Sequence, residues 1–233
     1  MSALTATPAS PASTISTRRV RLSALAGLLG VVLIGVSFAI NWASPGDHPT
    51  PAQFIAFGVA HHTQIVTGAW LQAVGTVLII AFSLAIVHLA GAASRYVGWL
   101  TFFGGLLLVT TGLIETIFYL VGAYATQVTT GLISLDLISA TQRLYFIVAA
   151  PAVFLPLGVV ILSSHASRPL PRVFGYLAYL LGAVFILVGL VGLYAPLQTV
   201  GDILGSVQGV WWLFAAVTLL VRPGAPSLPV ETA

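Results

Sequence analysis

Long apolar runs, separated by short breaks rich in Pro, Gly or charge, set the organisation of the chain. A helix needs about 20 mostly apolar residues to cross a hydrocarbon core of about 30 Å. Six runs qualify: Leu22 to Ala39, His62 to Ala90, Gly98 to Gly122, Ser139 to Leu162, Val173 to Ala195, and Ile203 to Val221. The breaks carry turn chemistry, as in Ser44-Pro45-Gly46-Asp47, Arg168-Pro169-Leu170-Pro171 and Pro223-Gly224. The pattern predicts an all-α, polytopic membrane helix bundle with six transmembrane helices over residues 20–222. Residues 1–19 and 223–233 are expected to be flexible cytoplasmic tails; residues 1–17 are only Ser, Thr, Ala, Pro, Leu, Ile and Met, with nothing to bury. The first run has the basic flank of a signal peptide, but its apolar stretch exceeds the usual length of about 7 to 15 residues, so an uncleaved anchor is expected.

Composition narrows the function classes. Of 233 residues, 58% are hydrophobic and 6% charged, against about 25% charged in a soluble domain. That excludes a soluble globular protein. Eight Arg against five acids cannot build a phosphate-tracking surface, so nucleic acid is excluded as a partner. The absence of cysteine excludes disulfides, thiolate nucleophiles, iron–sulfur clusters and Cys-type zinc sites together.

The few charges are placed asymmetrically. Arg18, Arg19, Arg21, Arg95, Arg168, Arg172 and Arg222 all fall on one side of the predicted bundle. Short Arg-rich loops stay cytoplasmic, so both termini are expected in the cytoplasm. Asp47, Asp136 and Asp202 lie in the outer loops just before the returning spans, where an acid suits a helix N-terminus.

The spans also repeat. Arg95-x-x-Gly98-Trp99-Leu100, continuing to Gly105 and Gly112, matches Arg172-x-x-Gly175-Tyr176-Leu177, continuing to Gly182 and Gly189. The segment from Asp136 to Ala150 parallels that from Asp202 to Ala216. With a looser Gly27, Gly30 and Gly35 series in the first span, three hairpin repeats in parallel orientation are expected.

Two charges are left inside the spans. Glu115 lies seven residues before Gly122 and Arg143 seven after Asp136, which puts both roughly 10 Å below the outer surface. A lone charge in lipid costs a few kcal/mol, so an interior pair is expected. Helical spacing gathers Thr111, Glu115 and Tyr119 on one face and His61, Gln64, Gly68, Gln72 and Gly75 along another. Gln142, Tyr145 and Gln208, followed by Trp211 and Trp212, complete an expected hydrated pocket open to the outer side. Pro151 and Pro156 free the carbonyls of Ile147 and Ala152, which can line a cavity or form a hinge.

No metal or cofactor is expected. His61 and His88 are 27 residues apart on one span, about 40 Å along a helix. His61 and His62 point about 100° apart, and no intramembrane His matches His88 and His165 in depth elsewhere.

The run Ser164-His165-Ala166-Ser167-Arg168-Pro169-Leu170-Pro171-Arg172-Val173-Phe174-Gly175-Tyr176 resembles a motif of small bacterial six-helix membrane proteins grouped as a domain-of-unknown-function family, in which the third span carries an acid that Glu115 matches. The resemblance implies a six-helix fold over residues 20 to 222 and a bacterial membrane location; it implies no activity.

The residues point to a multi-pass protein that binds or transports a small molecule or lipid through an outward-facing polar pocket. The expected ligand-binding residues are Glu115, Arg143, Gln142, Tyr119, His61, Gln64 and Gln208, with Arg143 the anion partner and Glu115 its counter-charge or proton carrier. The alternative is a non-catalytic membrane interaction or assembly subunit, packed against a second copy or another membrane protein. No nucleophile–base pair is present, so no enzyme is expected; an intramembrane lipid-acting enzyme, with Glu115 or His61 as base, ranks last.

Overall fold

Helix boundaries follow local chemistry. The computed structural model describes residues 17–40, 49–124, 137–164, 169–192 and 198–222, among which seven helices form and no strand does. Helix α1 (Thr17–Ile40) is the first span. A short apolar helix, α2 (Pro51–Ala60), comes next and was not expected. Thr50 starts it by a reciprocal cap, in which Gln53 N–H donates to Thr50 Oγ1 at 3.4 Å and Thr50 N–H donates to Gln53 Oε1 at 2.8 Å. Pro51 sits at the first helical position, where its missing N–H removes no bond. Helix α3 (His62–Leu89) ends where Gly91 takes φ +64. That left-handed residue lets Ala92 N–H reach Val87 O and Gly91 N–H reach His88 O, both at 3.0 Å, closing the helix end.

Helices α4 (Tyr96–Tyr124), α5 (Leu137–Ser163), α6 (Arg172–Val191) and α7 (Gln198–Val221) complete the spans. Six helices are therefore long and apolar enough to cross a membrane, and the protein is a multi-pass membrane protein. Asp202 lies inside α7, which starts four residues earlier, and not at its N-terminal boundary as expected; Asp47 and Asp136 lie outside the described residues. Helix α5 is not uniform. Pro151 has no N–H to give Ile147, and residues Tyr145–Ala149 form a π turn in which Ala150 N–H reaches back five residues to Tyr145 O.

Helix α1 packs along α3, α3 along α4, α4 against α5 and α5 against α6, while α7 packs on α1 and more lightly on α6. Most of the matched glycines serve one type of seam. A Cβ at Gly105 or Gly112 would meet Ile80 or Thr76 of α3, and at Gly175, Gly182 or Gly189 it would meet Leu162, Leu155 or Ile147 of α5; at Gly98 it would first meet the Ala92 carbonyl of the α3–α4 connection and then Val87 of α3. Each glycine series thus joins its helix to the preceding span rather than to the partner within the expected hairpin.

The middle of the bundle is aromatic. Phe82 of α3, Phe154 of α5, Phe185 of α6, and Trp211 and Trp212 of α7 are all buried. Phe154 lies 5.4 Å from Trp211 and 5.2 Å from Trp212, ring centre to ring centre. Outward faces are apolar, with Leu25 and Leu29 of α1, Leu106 of α4 and Leu187 of α6 exposed, as surfaces facing hydrocarbon require. Exposed Tyr96, Trp99, Tyr176 and Tyr179 stand at one end of the bundle, and exposed Trp70 and Tyr124 toward the other, which marks two interfacial belts. The described arginines other than Arg143 share the first of these ends, called the arginine end below.

Candidate functional site

Glu115 lies on α4 two turns below the helix end opposite the arginines, with Thr111 and Tyr119 one turn to either side. Two amides from different helices meet it. Gln72 of α3 donates Nε2 to Oε2 at 3.4 Å, and Gln142 of α5 donates Nε2 to Oε1 at 3.3 Å. Three spans therefore converge on one carboxyl group. Both bonds are long for charge-assisted N–H···O pairs, which run about 2.7 to 2.9 Å.

Thr76, one turn along α3 from Gln72, donates its hydroxyl to the Gln72 carbonyl at 2.8 Å; Thr111 and Thr116 likewise bond back to their own helix at 2.8 Å. These hydroxyls satisfy themselves locally and leave Glu115 to the amides. Tyr119 is half-buried and engaged with its surroundings.

A second polar pair lies beside the first. Tyr145, in the π turn, donates its hydroxyl to Gln208 Oε1 at 2.6 Å, tying α5 to α7. Below it, Tyr145 packs edge-on to Phe146 and Phe185, so the polar layer rests on the aromatic core.

The expected Glu115–Arg143 pair does not form. Among the described residues Glu115 is held by amides instead, and Arg143 is exposed. The cause is helical geometry: neighbours on a helix point about 100° apart, so with Gln142 aimed at Glu115, Arg143 is turned off the bundle. A long side chain near a span end carries its charge to the interface.

His61 and Gln64 form a separate pair at the start of α3, His61 Nδ1 lying 2.7 Å from Gln64 Oε1 and the ring 4.5 Å from that of Phe57. Neither hydrogen-bonds Glu115. Two surface clefts lie elsewhere, one between Pro171, Val217 and Arg222 and the other between Val159 and Tyr179.

Trp211 and Trp212 do not line a polar pocket. Both are buried in the aromatic core, where Trp211 Nε1 donates to the Phe174 carbonyl at 3.1 Å and Trp212 Nε1 has no partner. Gln72 and Tyr145, gathered into the expected pocket by helical spacing but not counted among the ligand-binding residues, both join the polar layer.

Among the described residues no three His, Cys, Asp or Glu side chains gather at one point. No protein-family model matches the chain, and no curated protein and no solved structure matches it either.

Proposed function

We propose that this protein binds or moves a small molecule or lipid at a polar site in the membrane half facing away from the arginines, with Glu115 as its anchor. On this reading the arginine end is cytoplasmic, both termini lie on that side, and the membrane is a bacterial plasma membrane. The observation that carries the proposal is the convergence of Gln72 and Gln142, from two different helices, on one intramembrane carboxyl group that has no cationic partner among the described residues. A lone charge in a span is better served by an ion pair, and Arg143, expected at the same depth on α5, is exposed instead. Glu115 is engaged by amides rather than by a nucleophile, which supports a binding role over a catalytic one.

Purified protein and a Glu115→Ala variant, extracted and profiled by mass spectrometry, test the proposal. A lipid or metabolite retained by the parent and lost from a folded variant is the expected result. Identical profiles overturn it.

The reading of the chain as an interaction subunit has its own support. Gly205 and Gly209 of α7 and Gly35 of α1 face open space, with nothing within 4 Å of where a Cβ would stand. Spans that face lipid alone have no need of such clearance. Crosslinking at Ser206→Cys tests it: a defined dimer or a stoichiometric partner favours this reading, and a lone monomer counts against it.

A further inference from the structure

At the arginine end, a cleft of about 310 Å³ opens between the start of α6 and the last turns of α7. It is lined by Pro171, Val217, Thr218, Val221 and Arg222. Its walls are apolar except at Thr218, and its rim is cationic: Arg222 borders it directly, and exposed Arg172 follows Pro171. The two walls are fixed to each other, because Trp211 Nε1 of α7 donates to the Phe174 carbonyl in the first turn of α6. Among the described side chains the sole acid is Glu115, which lies toward the opposite end, so no described acidic side chain stands beside the two guanidinium groups.

Apolar walls beneath two exposed arginines, with no acid beside them among the described residues, match one kind of molecule. Val217 and Val221 are open to the hydrocarbon side, where an acyl chain lies, and Arg172 and Arg222 stand at headgroup depth. We propose that this cleft binds an anionic phospholipid of the leaflet at the arginine end, with its phosphate between Arg172 and Arg222 and one acyl chain along Val217 and Val221. A zwitterionic lipid offers the same chain and phosphate but brings an ammonium toward the two arginines, so the cleft selects for net negative headgroups. The proposal is independent of the Glu115 site, which lies toward the other end of the bundle.

Thermal unfolding of delipidated full-length protein in detergent provides the test, with dioleoylphosphatidylglycerol, dioleoylphosphatidylcholine and glycerol 3-phosphate as probes. The phosphatidylglycerol is expected to stabilise at about tenfold lower concentration than the phosphatidylcholine, and glycerol 3-phosphate, lacking chains, to have no effect. The double substitution Arg172→Gln and Arg222→Gln removes the preference, whereas Arg18→Gln, Arg19→Gln and Arg21→Gln together, which remove more charge at the same end, preserve it. If the double variant does not fold, Val217→Trp serves instead: it fills the cleft with both arginines in place and abolishes the effect. Equal stabilisation by both lipids, stabilisation by glycerol 3-phosphate alone, loss of preference in the triple variant, or full preference in Val217→Trp each overturns the proposal.

Discussion

Trp211 and Trp212 are adjacent, equally apolar and both buried, yet their indole N–H groups meet opposite fates. One donates to the Phe174 carbonyl, and the other is buried with no acceptor among the described residues. Leaving a buried donor unpaired costs about 1 to 3 kcal/mol, and losing a made bond costs about 1. Trp211→Phe should therefore destabilise the bundle by about 2 kcal/mol more than Trp212→Phe, read as the difference in unfolding free energy between two variants of equal volume loss. The same reasoning applies to the Glu115 amides. Gln72→Leu and Gln142→Leu each remove one of two donors to the carboxyl group. If Glu115 anchors a ligand, each should weaken its retention by about tenfold, whereas Gln64→Leu, which breaks only the local pair with His61, should leave retention unchanged.

At the scale of elements, the close approach of α4 to α5 rests on one position. Pro156 has no N–H for the Ala152 carbonyl, and a Cβ at Gly104 would meet that oxygen, so the freed carbonyl is covered by the glycine across the seam. Gly104→Ala forces backbone apart from backbone and should cost about 2 kcal/mol or more. Gly112→Ala on the same helix has ordinary contact distances of 3.7 Å to Thr76 and should be nearly neutral; thermal melts of the two variants check the contrast.

Run length made the six spans legible because the bilayer sets that length, whereas α2, ten apolar residues long, falls below the spanning threshold and was not expected despite its Thr50, Pro51 and Gln53 cap. The partner of Glu115 was not legible. Spacing gives depth along a helix, but the choice between Gln142 and its neighbour Arg143 depends on helix rotation, which packing decides. The tryptophans were misplaced for a related reason: amphipathic rings are common at interfaces, and only the neighbouring Phe82 and Phe154 make this depth an aromatic core.

For the whole molecule, the separation of arginines from the Glu115 layer gives the bundle two chemically distinct ends. The native sequence has no cysteine, so a single introduced thiol reports its own location without background. Ser94→Cys lies at the arginine end and Ala52→Cys on α2 at the other. In intact cells a membrane-impermeant maleimide should label Ala52→Cys and spare Ser94→Cys until the membrane is opened. The reverse pattern would invert the proposed orientation and put the Glu115 layer on the cytoplasmic side.

The π turn at Tyr145–Ala149 gives α5 two rotational phases. Its lower part is set so that Phe154 meets Trp211 and Trp212, while its upper part is set so that Gln142 meets Glu115 and Tyr145 meets Gln208. An unbroken α-helix passing through Phe154 in its present orientation would turn the upper part by about 100°. Deleting one residue from this turn should therefore leave the span length and the core intact while swinging Gln142 away from Glu115. The π turn thus works as a phase coupling, which sets the aim of the helix end independently of the scaffold beneath it.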